Sequence, residues 1–244
     1  MIPELSTHKT YSDLWKKESD SLDKSGVYKS LAAYTPDGNV LEFGCGAGQS
    51  TAHLLKSHAV LSLENNAYLI QMATDYLLGL GFSPNIRKCD FYELGNDDKQ
   101  AIRDFGPKVI TGWFIGGSGE DQILRIPNQP YPTELMKSYR EGIEDIIVSP
   151  DVCIESVEYI QLGMRGVGLV NSDKKSEFTE TKADFDQYVF SQAGFEVIAI
   201  DSFVWEIDKS VFPYANAKNP NFNGGRPAQT IPLITSILAK RISK

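Results

Sequence analysis

Short apolar runs and stretches of helical spacing take turns along almost the whole chain. Residues 39–43 read as a short buried strand ending in a glycine-rich turn, with a helix over 49–57 and a second strand over 59–64. Leu69, Ile70, Ala73, Leu77 and Leu80 recur at helical spacing, so 67–80 is predicted as a helix that Gly81 closes. A strand at 85–89, a helix near 97–104, a strand at 108–114 and a helix from Pro132 to about 148 continue the alternation. A fifth strand is predicted at 151–159, a helix at 183–193 closed by Gly194, and two last strands at 196–207 and 231–242. Such regular alternation predicts an α/β fold with a mostly parallel sheet covered by helices on both faces.

Two segments fall outside the pattern. Residues 1–37 are polar and helix-leaning, with Tyr11, Leu14, Trp15, Val27, Tyr28 and Leu31 as their apolar points. Residues 208–230 are rich in Asn, Pro and Gly, and no helix separates the two strands they join. A connection this long is usually functional or mobile. The expected organisation is an N-terminal cap or lid over 1–37 and one domain over 38–244 with a loop insertion at 208–230. The rings of Tyr11, Trp15, Tyr28, Phe212, Tyr214 and Phe222 suit both segments to covering a cleft.

With 244 residues, 41% hydrophobic and 23% charged, the composition is that of a globular chain. Lys and Arg number 24 against 32 Asp and Glu, a net charge of −8. That balance argues against a bare phosphate backbone as the main partner. The three cysteines, 45, 89 and 153, lie far apart, so neither a disulfide framework nor a zinc site is expected, and no metal is assigned. Residues 1–20 contain no apolar signal region, and no later run approaches the ~18 apolar residues of a membrane span. A soluble cytoplasmic protein without membrane contact is therefore expected.

The informative segment is Val-Leu-Glu-Phe-Gly-Cys-Gly-Ala-Gly-Gln-Ser, residues 40–50. A strand enters three glycines at alternate positions, Gly44, Gly46 and Gly48, and leaves into a helix. Glycine is needed where the backbone takes positive φ or where a ligand lies against it. A dinucleotide fingerprint would place its third glycine at 49, which is Gln49, so a nicotinamide-dependent reductase is disfavoured. Glu42, two places before the first glycine, would serve a cationic amino-acid end better than a pyrophosphate. Glu64 ends the second strand, where a carboxylate can accept from both hydroxyls of a ribose. In Cys89-Asp90-Phe91, a carboxylate and an aromatic stand where an adenine amino group and ring would be met.

In these features the chain resembles the class I S-adenosylmethionine-dependent methyltransferases, over about residues 39–242. The resemblance implies a seven-stranded sheet with its last strand antiparallel, S-adenosyl-L-methionine as cofactor and S-adenosyl-L-homocysteine as product. It implies cofactor contacts from Glu42, Gly44, Cys45, Gly46, Gly48, Glu64, Asn65, Asp90, Phe91 and Thr111. Cys45 reads better as a small packed residue than as a nucleophile, since nothing nearby supplies a base.

The acceptor side carries less information. Family members that methylate amino groups of bases often have an [Asp/Asn/Ser]-Pro-Pro-[Tyr/Phe/Trp] motif after the fourth strand, whereas residues 111–117 read Thr-Gly-Trp-Phe-Ile-Gly-Gly. With the acidic balance, this departure makes a small-molecule acceptor with an N or O nucleophile the expectation and nucleic acid the disfavoured one. A protein or peptide acceptor, or a binding protein without turnover, stands as the alternative. Trp113 and Phe114 either wall the acceptor pocket or fill the core, and Tyr11 and Trp15 join them as pocket or lid residues. Glu120 and Asp121, in a loop read as flexible over 116–121, act as a general base, bind a cationic acceptor, or stand as solvated carboxylates.

Overall fold

The computed structural model describes residues 7–128, 131–170, 173–212 and 229–242. Seven strands, β1 (Val40–Phe43), β2 (Val60–Glu64), β3 (Ile86–Lys88), β4 (Val109–Trp113), β5 (Tyr159–Leu169), β6 (Phe195–Val204) and β7 (Thr230–Arg241), form one sheet in the order β3-β2-β1-β4-β5-β7-β6. Strands β1 to β5 run parallel, and β7 runs antiparallel to both β5 and β6. This is the α/β architecture expected from the alternation, with the antiparallel last strand that the resemblance implies.

The central strands are buried on both faces, so they carry apolar residues at successive positions. Neighbouring residues then enter opposite cores. Val40, Val60 and Val109 point to one cluster, shared with α1 (His8–Lys24), α2 (Val27–Ala33), α3 (Gln49–Leu54) and α4 (Ala67–Gly79). Leu41, Leu61 and Ile110 point to the other, filled by α5 (Asn96–Phe105) and α7 (Pro132–Ile147). Thr7 caps α1 by accepting from the Thr10 amide, and the helix buries Trp15, Ser19 and Leu22 along one stripe. The cap segment thus shares a core with the sheet. In α7, Tyr139, Ile143 and Ile147 form the buried stripe at four-residue spacing.

Three sequence expectations need correction. Residues 151–158 form turns, and β5 begins at Tyr159. Val152 and Val157 are buried but pack from these turns, while the true strand carries Gly163, Gly166 and Gly168, which read as strand breakers. At Gly163 a Cβ would come within 2.9 Å of the Trp113 ring, so packing demands the glycine. The loop expected over 116–121 is partly helical, because Ser118 caps α6 (Gly119–Arg125) by accepting from the Asp121 amide. The helix expected at 183–193 instead spans α8 (Lys174–Phe185), with a π turn over Asp186–Phe190 and a 3-10 turn over Ser191–Ala193. α8 buries no residue and so lacks the apolar stripe that marks a helix in sequence. Of the 208–230 segment, 213–228 with Tyr214 and Phe222 lie outside the described residues. No helix among the described residues is long and apolar enough to cross a membrane.

Candidate active site

Parallel strands bring their carboxyl ends to one edge of the sheet, and the turns after β1, β2 and β4, with the segment after β3, meet there around one cleft. Gly44, Gly46, Glu64, Asn65, Phe91, Trp113 and Phe114 line it from below, with Tyr11 and Trp15 of α1 above. Of the predicted site residues, Glu42, Cys45, Gly48, Asp90, Thr111, Glu120 and Asp121 do not line it.

Gly44, Gly46 and Gly48 all take positive φ, which turns the chain from β1 into α3. A Cβ at Gly48 would stand 3.0 Å from the Cα of Ala73 on α4, so this glycine lets two helices touch. At Gly46 a Cβ would strike the indole Nε1 of Trp15. Glu42 is 2% exposed, and its carboxylate accepts from Ser50 (2.6 Å), Thr51 (2.6 Å) and Ser62 (2.7 Å). Burial raises its pKa and the three hydroxyls draw it back down. Glu42 therefore ties α3 and β2 to the glycine turn rather than facing the cleft. Thr111, its register partner on β4, is fully buried, and its hydroxyl has no hydrogen-bond partner. Burial lifts the Cys45 thiol well above the ordinary range, so it supplies no thiolate.

Glu64 does face the cleft. Its Oε1 accepts from the amides of Asn65 and Asn66, each at 3.0 Å, and burial pushes its pKa up to about 7 against those bonds. Phe91 packs against Phe43 with ring centres 5.2 Å apart and planes tilted by 53°, offering an apolar wall. Asp90 is already committed: Oδ1 accepts from the Tyr92 amide at 3.0 Å, and Oδ2 pairs closely with Arg125 of α6. Asp121 is buried and accepts from the Tyr139 hydroxyl and from Asn65 Nδ2 (3.2 Å). Glu120 accepts from the His8 amide at 2.9 Å. Trp113 is 7% exposed and its Nε1 has no hydrogen-bond partner. Phe114 holds φ at 56°, a left-handed value that is costly for a bulky residue.

Helix α1 closes the cleft from above. Tyr11 and Trp15 stack with planes 1° apart, and Phe212 packs against both at 6.1 and 6.0 Å. Asn66 donates to the His8 carbonyl and to Ser12, Gln49 donates to Asp20, and His53 bonds Asp23 at 2.7 Å. Ser210 and the Val211 amide both donate to Glu18. What remains open is about 40 Å³. Sequence reasoning missed His8, Asn66 and Ser118 as members of this closure. The S-x-x-D cap at Ser118 was the available signal. Among the described residues no group of His, Cys, Asp or Glu could hold a metal ion.

No protein-family model matches the sequence, and no curated protein does. Solved structures similar to the chain include a magnesium protoporphyrin IX methyltransferase from Synechocystis PCC 6803 with bound SAM, at 13% identity, 91% of this chain, 80% of that one and a TM-score of 0.44. An S-adenosylmethionine-dependent methyltransferase from Clostridium acetobutylicum matches at 12% identity, 94% and 92% of the two chains and 0.40. TYW2 from M. jannaschii in complex with AdoMet matches at 11% identity, 91% and 77%, and 0.44. All three lie below a TM-score of 0.5, and the fold assignment rests on strand order and direction.

Proposed function

We propose that the chain binds S-adenosyl-L-methionine in the cleft at the ends of β1, β2 and β4 and transfers its methyl group to a small-molecule N or O nucleophile. One observation carries the reading: the glycine turn, Glu64 and Phe91, spread over three strands in sequence, line one cleft. The polar groups suit that cofactor. Glu64 would accept from the ribose hydroxyls, and Phe91 with Leu69 would flank the adenine. Gly44 and Gly46 would let the backbone approach the amino-acid end, and Trp113 Nε1 is a buried donor without an acceptor.

S-adenosylmethionine brings an activated methyl on a sulfonium, so the protein needs chiefly to position a nucleophile and keep water out. Tyr11, Trp15 and Phe212 do the latter by covering the cleft, and Glu42 fixes the turn on which the former depends. Room for only about 40 Å³ means that α1, or at least the Trp15 ring, moves to admit the cofactor. The same seat of Trp15 on Gly46 favours a second reading, a binding protein without turnover.

Calorimetric titration with S-adenosylhomocysteine tests the cofactor assignment, with NADH as comparator. Binding in the micromolar range and a rise in Tm are expected. A folded sample that gives neither heat nor shift would overturn it. Transfer of a labelled methyl group to a small-molecule amine or hydroxyl acceptor separates the enzyme from the binding protein.

A further inference from the structure

A second cavity of about 420 Å³ opens between α7, the end of β4 and β5. The volume is in the range of small-molecule sites, roughly 300–1,000 Å³. Phe114, Ile115 and Gly116 line both this cavity and the cleft under α1, so one stretch of chain parts the two. At Gly116 that partition carries no side chain. Ile115, Met136, Leu162 and Met164 give the cavity apolar walls, and the unbranched thioethers adapt to the shape of what fills it.

Each cation on the wall has a carboxylate beside it. Arg140 Nε lies 3.2 Å from Glu144, and Lys137 Nζ lies 3.7 Å from Glu141. Arg165 comes from β5 with Glu18 at 3.8 Å, and the ring centres of Trp15, Phe114 and Trp205 stand 5.4, 5.1 and 5.8 Å from its guanidinium. Glu134, the other charge on the wall, is exposed at the rim, where water solvates it. An ion brought into this volume would give up its hydration and meet charges that are already matched. An uncharged molecule buries its apolar surface with far less to lose.

We propose that this cavity takes an uncharged small molecule with an apolar body and a hydroxyl group, and that it is the methyl-acceptor site. That it is the acceptor site rests on the methyl-transfer reading, whereas the uncharged class follows from the cavity alone. The hydroxyl oxygen bonds to the methyl carbon as the carbon–sulfur bond breaks and its electron pair stays on sulfur, and the hydroxyl proton is lost to water at the open rim. An aliphatic amine would enter as an ammonium, which has no lone pair to offer.

The experiment uses the full chain and three probes that share one body: 3-phenylpropanol, 3-phenylpropanoate and 3-phenylpropylamine. Samples are held near pH 8, where Glu144, raised by burial to about 7, is ionised. Affinities are read by ligand-observed NMR, and S-adenosylhomocysteine affinity by calorimetry in the same samples. The alcohol is expected to bind roughly tenfold more tightly than either ion. Glu144→Gln takes the carboxylate from Arg140, so it should raise 3-phenylpropanoate affinity several-fold and leave the alcohol within about twofold. Met136→Trp, at an exposed position of the wall, fills part of the cavity and should weaken the alcohol roughly fivefold; it serves if Glu144→Gln does not fold. S-adenosylhomocysteine affinity should be unchanged in either variant, and with both ligands bound, magnetisation should pass between them. Equal or tighter binding of either ion, no binding of any probe, or affinities indifferent to the folded variants would overturn the proposal. Both ligands bound without such transfer would overturn the acceptor assignment. Alcohol binding without S-adenosylhomocysteine binding would sink the methyl-transfer reading and leave the uncharged-ligand site standing. The converse would do the opposite.

Discussion

The cleft under α1 and a cavity of about 420 Å³ beside α7, which shares Phe114, Ile115 and Gly116 with it, are neighbours built on different terms. Around the cleft, most polar atoms are already used by the fold. Glu42 is filled by three hydroxyls, Glu64 holds two amides of the next turn, and Asp90 is shared between Tyr92 and Arg125. In the cavity, the charged groups sit on a helix face and a strand, paired side to side, with room left between them. The difference separates two duties that a motif confounds. Groups that shape a turn are spent on the turn, and those left over face the cleft. By that measure Phe91 and Trp113 face the cleft, Glu64 serves both the next turn and the cleft, and Glu42 and Asp90 serve as scaffolding away from it.

The comparison is broken most forcefully at Trp15. Trp15→Ala removes a buried ring from the core shared by α1 and the sheet and should lower stability by about 3–5 kcal/mol. It also unseats the group resting on Gly46, so S-adenosylhomocysteine should associate faster, at least in a protein that stays folded. Denaturant unfolding reads the first effect and stopped-flow binding the second. Limited proteolysis adds a check, since 7–25 and 207–212 should change their susceptibility on ligand binding if α1 moves. Unaltered association in Trp15→Ala would mean the cleft admits its ligand past a fixed α1.

Glu42→Ala comes next. It leaves three buried hydroxyls without their acceptor, each costing on the order of 1 kcal/mol or more, partly offset by relief of the carboxylate's own burial. A net loss of about 2 kcal/mol is expected, with Glu42→Gln losing less. A large loss of cofactor affinity at unchanged stability would return Glu42 to the ligand.

Glu64 sharpens the contrast through pH. Its carboxyl titrates near 4.5 unfolded and about 7 folded, so it favours the folded state below pH 4.5 and loses that share as pH rises through 7. Ribose hydroxyls donate to the carboxylate and pull the other way. S-adenosylhomocysteine affinity should therefore climb between pH 6 and 8, roughly in step with ionisation around 7. Glu64→Gln should flatten the climb, and Glu64→Ala should cost about 1–3 kcal/mol of affinity. His8 lines the same cleft, and whatever it contributes persists in Glu64→Gln. A climb of equal size in both proteins would take the ribose away from Glu64.

These contrasts follow the limits of what a sequence makes legible. The glycine turn, Glu64 and Phe91 were readable because local backbone demands impose residue types at fixed spacing. The start of β5 was not, since Gly163 is there for the Trp113 ring, a contact between strands fifty residues apart in sequence. Nor was the pairing of Asp90 with Arg125, which depends on where α6 lands. The second cavity left no trace at all. Lys137, Arg140 and Glu144 are spaced as ordinary surface pairs along a helix, and Arg165 fell outside every element expected from the sequence.

Asp90 gives the smallest and most discriminating test. Asp90→Asn keeps an oxygen to cap the Tyr92 amide and gives up only the charge facing Arg125, which retains Glu93 at 3.3 Å and Asp121 at 3.7 Å. The Asp90 side chain is 32% exposed, so solvent screens the pair, and a stability change below about 1 kcal/mol is expected. If Asp90 is scaffolding, calorimetric affinity for S-adenosylhomocysteine should move by less than about twofold, since no ligand contact is lost. An adenine amino group needs an acceptor, and the asparagine carbonyl is already turned to Tyr92. A tenfold loss would thus mean that Asp90 leaves Arg125 when ligand binds and turns into the cleft. Arg125→Gln would then tighten binding by freeing the carboxylate, whereas it should leave affinity unchanged if Asp90 only holds α6 against the turn after β3.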